Sequence, residues 1–407
     1  MAKVAIMGYG TVGSGVYDII KTNSDKLSRS ANGESVDIKY ILDIRDFDDH
    51  PEKELFTKEF NDILNDDEVS VVAEVMGGLH PAYEFTKSLL EAGKSVVTSN
   101  KELVATYGTE LLEIARGKNV NYFFEASVGG GIPIIRPLVS SITSDAVTEI
   151  TGILNGTTNY MLTKMSEDGL DYDAVLEDAQ ERGYAERNPA ADVEGHDARR
   201  KIAILSSLIS GQQVDFEDIY CEGITKITVE DMRYAKAMGT TIKLLASSKT
   251  HAGRLGAMVA PCMLYPDHPL YNVNGVFNAI FVHGNVLGDA MFYGSGAGKL
   301  PTASAVVSDV VEAAKNLNRN VMTMWKEEKL RLEDKSSMKR RFFIRMKGNV
   351  EEKIEDIRYS FGDVEIVKVD GLDGEFGFVT PIMMEGDYDT RAKSYEDQIL
   401  HMIRIED

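Results

Sequence analysis

A chain of 407 residues, 43% hydrophobic and 27% charged, is globular and long enough for two or three domains. Its formal net charge of −21 argues against nucleic acid and anionic membrane as partners, since both need a basic surface. No apolar run reaches the roughly 18 residues of a membrane span, and seven scattered histidines with two cysteines, Cys221 and Cys262, give neither metal-ligand spacing nor a disulfide framework.

The amino terminus enters a strand at once and leaves no room for a signal peptide, which predicts a cytoplasmic protein. Apolar runs at 4–7, 38–42, 71–75, 96–98 and 122–124 read as strands, with amphipathic stretches at 83–91 and 110–116 between them. That alternation predicts a doubly wound parallel sheet covered by helices on both faces. Gly8-Tyr9-Gly10-Thr11-Val12-Gly13 follows the first strand and opens a helix, the context that makes this spacing a dinucleotide fingerprint. Gly8 then makes the tight turn and Gly10 lets the backbone approach a pyrophosphate. Gly13 allows close helix–strand packing, and the amides from Thr11 and Val12 onward supply the anion site. At the end of the second strand Asp43 would bond a ribose 2′-hydroxyl, whereas Arg45 would attract a 2′-phosphate. The two signals conflict, and the cofactor is read as NAD(P).

Thr98-Ser99-Asn100-Lys101 lies after the fourth strand, at the carboxyl edge where such sheets bind ligands. Glu125-Ala126-Ser127-Val128-Gly129-Gly130-Gly131-Ile132 ends the fifth strand in a loop that can turn carbonyl oxygens outward, as a hard cation requires, or serve as a hinge. From about residue 146, runs at 147–154, 255–265, 277–283 and 287–292 read as a mostly antiparallel sheet with a helical block, 157–245, inserted. Inside that block Thr228-Val229-Glu230-Asp231 is a capping box opening a helix toward Leu245. A helix over 302–316 follows, with Pro301 in its first turn. The densely charged stretch 319–341 reads as a partly helical linker. After it, 342–346, 350–361, 364–369, 376–383, 389–398 and 401–405 give strand-helix-strand-strand-helix-strand, a ferredoxin-like order.

The segment Gly183-Tyr184-Ala185-Glu186-Arg187-Asn188-Pro189-Ala190-Ala191-Asp192-Val193-Glu194-Gly195-His196-Asp197-Ala198-Arg199-Arg200-Lys201 loads a turn and a helix with carboxylates and ends on a lysine four residues after Asp197, on the same helical face. With Ile153-Leu154-Asn155-Gly156-Thr157-Thr158-Asn159-Tyr160 and the fingerprint, it resembles homoserine dehydrogenase, which interconverts aspartate 4-semialdehyde and homoserine with a nicotinamide cofactor. The resemblance covers 1–318 closely and the remainder in outline, where the terminal unit resembles an ACT regulatory module.

It implies a dinucleotide-binding domain over 1–133 plus 301–318, an α+β substrate-binding and dimerisation domain over 134–300, a linker at 319–339 and an ACT-like domain at 340–407. Lys201 is then the group that protonates the carbonyl oxygen, with Lys101 assisting and Asp197 and Asp192 orienting it. Glu186 pairs with the substrate ammonium beside Tyr184, and the Gly156-Thr157 backbone receives the substrate. Thr98, Ser99 and Gly298 touch the cofactor, and a sodium ion rests on the backbone of Glu125, Val128, Gly130 and Ile132. A homodimer or homotetramer acting in threonine and methionine biosynthesis is implied. Aspartate-semialdehyde dehydrogenase, the alternative enzyme, needs a nucleophilic cysteine, and neither Cys221 nor Cys262 has a fitting histidine nearby. An inert amino-acid sensor is the alternative of another class, and the intact Lys101, Asp197 and Lys201 speak against it. The turn Met346-Lys347-Gly348-Asn349-Val350-Glu351-Glu352 departs from the Asp-x-x-Gly pattern of effector-binding modules, so effector binding and assembly both stay open for the terminal unit.

Overall fold

A computed structural model describes residues 2–322 and 325–406, and the chain divides into two compact units. The first comprises Met1–Ala146, Ala203–Phe216 and Phe292–Leu330. The second comprises Val147–Ile202, Glu217–Met291 and Arg331–Asp407.

In the first unit, β1 (Ala2–Met7), β2 (Val36–Leu42), β3 (Phe56–Thr57), β4 (Val69–Glu74), β5 (Ser95–Thr98) and β6 (Tyr122–Phe123) form a parallel sheet in the order β3-β2-β1-β4-β5-β6. Burial on both faces explains the unbroken apolar runs, since β1 and β5 are buried almost throughout. Five of the six strands match the expected runs; the two-residue edge strand β3 is too short to leave a periodicity. The strand order reverses between β1 and β4, and the glycine fingerprint sits at that switch point.

Chain from beyond residue 290 completes this unit. The helix Lys299–Lys315 packs on the helix Thr11–Thr22 so closely that a Cβ at Gly15 would lie 2.9 Å from the Ala303 Cβ. Trp325, the single tryptophan, is buried against Gly108 and donates to Thr109 and Gln213 at 2.8 and 2.7 Å. The charged stretch after residue 319, expected to be partly helical, is mostly extended. Lys326–Lys329 runs extended beside Gln212–Gln213, and only a single 3-10 turn, Lys335–Ser337, forms later. Residues 323 and 324 of that stretch lie outside the described residues.

The second unit is built on one sheet that runs Gly288–Ser295, Phe277–Gly284, Val147–Ile153, Thr241–His251, Arg254–Leu264, Ile399–Glu406, Lys339–Lys347, Glu375–Val379 and Glu365–Val367. The capping box opens its helix as expected: Thr228 and Asp231 bond reciprocally. That helix ends at Ala237 rather than continuing toward Leu245, because Gly239 at φ +67° turns the chain, and Thr241–His251 is a strand. The last four strands have the antiparallel ferredoxin-like order, with the helix Val350–Phe361 between the first two in sequence. The second helix starts earlier than its polar pattern suggested, at Glu385, and ends at Ala392.

The carboxy-terminal strands continue the substrate sheet directly. Cys262–Leu264 pair in parallel with Arg404–Glu406. Buried charges fasten the seam. Arg404, 1% exposed in its side chain, donates to Glu222 at 2.6 Å and to Glu385 at 3.1 Å and stacks on Tyr220. Arg345 and His401 both reach Asp231 at 2.8 Å. Replacing Arg404 by leucine takes its closest charge partner from the fully buried Glu385 and an ion pair from the partly exposed Glu222, and Arg404→Leu is expected to cost about 3–5 kcal/mol, read from the urea unfolding midpoint and slope. A loss below about 1 kcal/mol would mean that the network contributes little beyond its own desolvation.

Candidate active site

The nucleotide half is shaped first by what cannot carry a side chain. Gly8 has φ +97°, and a Cβ on Gly13 would sit 1.9 Å from the Gly8 carbonyl oxygen, so both positions demand glycine. Gly10 faces open space, with nothing within 4 Å of its missing Cβ, which leaves room for a pyrophosphate over the backbone. No side chain caps the helix Thr11–Thr22, so its first amides, including those of Thr11 and Val12, are available to an anion.

Asp43 and Arg45 do not compete; they hold each other. Arg45 Nε and Nη2 donate to the Asp43 carboxylate at 2.9 and 2.8 Å, and the Tyr9 amide donates to it at 2.7 Å. The Arg45 guanidinium keeps the Asp43 carboxyl well below the usual carboxylate range, and burial opposes it. Asp43 is 8% exposed in its side chain and Arg45 57%.

At the carboxyl edge, Asn100 caps the helix Lys101–Gly117 through the Leu103 amide, which places Lys101 at the first helical position. Thr98 donates to Glu74 Oε2 at 2.6 Å and receives the Asn100 amide, while the Ser99 amide reaches the Glu74 carbonyl. Glu74 is fully buried, and burial lifts its carboxyl. Sequence reasoning missed it; an acidic residue ending a valine-rich strand was the available signal.

In the loop after β6 the Glu125 carboxylate accepts the amides of Ile134, Ile135 and Arg136 at 2.6, 2.8 and 2.7 Å. Asp309, from the helix Lys299–Lys315, accepts the Glu125 amide at 2.8 Å and pairs with Arg136. Burial pushes the Asp309 carboxyl up to about 7, with Arg136 pulling the other way. Glycines at 129, 130 and 131 are compulsory: a Cβ on Gly130 would meet the Gly296 carbonyl at 2.2 Å and one on Gly131 would meet Pro301 at 2.7 Å. The Glu125 carboxylate is engaged, which leaves the backbone oxygens of this loop as what it could offer a cation. Oxygen ligands suit a hard cation. Gly298, at φ +117°, leads the chain from the same contact into the helix Lys299–Lys315.

The substrate half is held by one buried network. Gly195 at φ +82° starts the helix His196–Ser210 and brings Asp197 and Lys201 onto one face. Lys201 Nζ lies 2.7 Å from Asp197 Oδ2 and donates to the Leu154 carbonyl at 2.8 Å. Asn155, not anticipated as a site residue although it lies inside the recognised segment, ties the group together. Its Nδ2 donates to Asp192 at 2.7 Å and Asp197 at 3.1 Å, and its Oδ1 caps the helix Gly156–Asp168 at the Thr158 amide. Thr157 donates to the Tyr184 carbonyl, and the Tyr184 ring packs edge-on against Tyr160. Glu186 is exposed, and its carboxylate has no partner among the described residues. The helix start is crowded: a Cβ on Gly156 would lie 2.7 Å from the Val276 carbonyl. Lys243, 1% exposed, pins the loop that supplies that carbonyl, donating to Val273 and Asn274 at 2.7 Å and to Asn159 at 3.3 Å.

Neither thiol is activated for attack. Burial pushes Cys221 up to about 11 and Cys262 up to about 12.

The homoserine dehydrogenase family model matches residues 133–311, and the model for the homoserine dehydrogenase NAD-binding domain matches residues 8–125. Homoserine dehydrogenase of Bacillus subtilis is 44% identical over 323 residues, 78% of this chain and 74% of its own. The crystal structure of a homoserine dehydrogenase from Thiobacillus denitrificans superposes with a TM-score of 0.92 at 33% identity, over 100% of this chain and 98% of the other. A hyperthermophilic archaeal homoserine dehydrogenase in complex with NADPH gives a TM-score of 0.67 at 29% identity, over 78% of this chain and 99% of that one.

Lys243 offers a pH-dependent check on the substrate half. Burial lowers its amine from 10.5 to about 8. Between those values the unfolded chain holds the proton and the folded chain does not, so stability from this group rises with pH across the window and is flat below it. The unfolding free energy of the wild type should therefore gain on that of Lys243→Met as pH rises from about 8 to about 10, measured by urea denaturation. A constant difference across that range would show that the ammonium is not desolvated.

Proposed function

The chain belongs to the homoserine dehydrogenase family, and we propose a division of labour among its residues on that footing. The enzyme interconverts L-homoserine and L-aspartate 4-semialdehyde with NAD(P), in threonine and methionine biosynthesis. The single observation that carries the residue assignment is the buried Lys201, held at 2.7 Å from Asp197 and at 2.8 Å from the Leu154 carbonyl.

The nicotinamide cofactor, when bound, gives or takes the hydride. Gly8, Gly10, Thr11, Val12 and Gly13 hold its pyrophosphate, with Thr98, Ser99, Lys101 and Gly298 at its edge. In aldehyde reduction negative charge develops on the carbonyl oxygen, and Lys201 Nζ donates the proton that neutralises it. In the reverse direction the same nitrogen takes the hydroxyl proton. Asp197 keeps the amine charged and oriented, Asn155 fixes Asp197 beside Asp192, and Lys101 assists proton transfer. Glu186, exposed and unpaired, receives the substrate ammonium next to Tyr184, and the Gly156-Thr157 amides at a helix start receive an oxygen of the substrate.

The Asp43–Arg45 pair accommodates both cofactors in this reading. Arg45 is the exposed member and can leave Asp43 for a 2′-phosphate, while Asp43 accepts from a ribose 2′-hydroxyl. Sodium is the cation assigned to the backbone of Glu125, Val128, Gly130 and Ile132, where it would brace the loop from β6. Exposed Val286, Leu287 and Met291 support a homodimer or homotetramer. The unpaired Cys221 and Cys262 fit a reducing, cytoplasmic compartment, and no helix among the described residues is long and apolar enough to cross a membrane.

Lys201→Ala should lower kcat by about 100-fold or more with cofactor affinity unchanged; near-normal turnover would remove Lys201 from the mechanism. Arg45→Ala should lower kcat/KM with NADP by about 10-fold and leave the NAD value nearly unchanged. Equal losses with both cofactors would mean that Arg45 serves the loop rather than the phosphate.

A further inference from the structure

The division of labour above makes no use of Glu74, the acidic residue that ends β4 with none of its surface exposed. A carboxylate is costly to bury and persists in such a place only where donors surround it. The Met76 amide lies 2.9 Å from Oε1 and the Thr98 hydroxyl 2.6 Å from Oε2, and the Gly77 amide and the Asn100 side chain also oppose the burial that lifts the group.

These bonds close a ring. Thr98 Oγ1 accepts the Asn100 amide at 2.9 Å, Asn100 Nδ2 donates to the Gly78 carbonyl at 2.6 Å, and the chain runs back from Gly78 through Met76 to Glu74. The turn so enclosed has little else to fix its course. Gly77 and Gly78 have φ +83° and +71°, and both are exposed with nothing within 4 Å of a missing Cβ. The same turn lies against the fingerprint: a Cβ on Gly8 would be 3.1 Å from both Met76 Cα and the Val75 carbonyl oxygen, and one on Gly13 would be 3.3 Å from Val75 Cγ2. Beyond the ring, Asn100 Oδ1 caps the helix whose first residue is Lys101. Three stretches of the carboxyl edge, 8–13, 75–78 and 98–101, thus take their relative positions around one buried carboxylate.

We propose that Glu74 is a positioning residue for hydride transfer, setting where the turn 75–78 and Lys101 stand against the bound nicotinamide cofactor. The proposal rests on the assignment of Thr98, Ser99 and Lys101 to the cofactor edge. Glu74 itself is wholly enclosed and acts through them. Both of its oxygens accept, so glutamine cannot replace it: with one acceptor fewer in the same shape, either the Met76 amide meets an N–H or the Thr98 hydroxyl loses its acceptor.

The test is Glu74→Gln in the full-length enzyme, with NADPH and NADH affinities read by fluorescence titration and homoserine oxidation read at saturating cofactor. Both dissociation constants should rise by about 10-fold and by the same factor, because the ring acts on the part that the two cofactors share. Turnover should fall by about 10-fold through Lys101, while KM for homoserine, whose assigned contacts belong to other segments, stays nearly unchanged. Asn100→Ser keeps a helix cap and the Glu74 carboxylate but loses the bond to Gly78, and it should weaken both cofactors in the same way. The double variant should bind no more weakly than Glu74→Gln alone, since one ring can be opened only once. A lowered melting temperature with wild-type constants in Glu74→Gln would leave a purely structural role and end the proposal, as would additive losses in the double variant. Should Glu74→Gln fail to fold, wild-type constants in Asn100→Ser overturn it. Lys101→Met separates the two assignments: lost turnover there beside a normal Glu74→Gln removes the positioning role only, and normal turnover in both removes 98–101 from the reaction and the proposal with it.

Discussion

The substrate half depends on how a nearly buried ion pair is held. Lys201 is 10% exposed and Asp197 5%, so water is largely excluded from both and each is the other's main charge partner. The pair needs a third element, because a lysine has three donors and one carboxylate oxygen satisfies only one of them. The Leu154 carbonyl, released at the end of a strand, accepts another. Asn155 then does two jobs at once, capping the next helix and bridging Asp192 to Asp197. Strand end, helix cap and buried lysine are one construction, in which the segments 153–160 and 183–201 meet.

The nucleotide half solves a different problem, the close approach of backbone to backbone. Gly13 against the Gly8 carbonyl, Gly130 against Gly296 and Gly131 against Pro301 leave no space for a methyl group. Between these contacts two buried carboxylates, Glu125 and Asp309, fasten the loop after β6 by accepting four amides. A loop held this way is fixed at both ends of the glycine run, by Glu125 from within it and by Asp309 from the helix Lys299–Lys315.

The carboxy-terminal segment is no loose appendage. It extends the substrate sheet through Cys262–Leu264 and Arg404–Glu406, and its Arg345, Arg404 and Glu406 find partners outside it in Asp231, Glu222 and Lys249. Placing ion pairs at such a seam fixes register at the expense of desolvation, since slippage by one residue would leave several charges buried and alone.

Much was legible in the sequence because it is local. Hydrophobic alternation gave the parallel strands, the glycine spacing gave the turn at the switch point, and Thr228 with Asp231 gave a helix start, all within a few residues of chain. The four-residue spacing of Asp197 and Lys201 belongs to the same class. What the sequence did not reveal is long-range. The mutual capture of Asp43 and Arg45 was hidden because spacing does not say where an arginine points, and β3 was hidden because two residues carry no period. Glu74, Asn155 and Asp309 gained their roles only when strands and helices distant in sequence met, since a buried polar group is defined by partners that the fold brings to it. The continuity of the terminal strands with the substrate sheet was likewise decided by tertiary structure, because pairing between Arg254–Leu264 and Ile399–Glu406 joins segments too far apart for any local pattern to record.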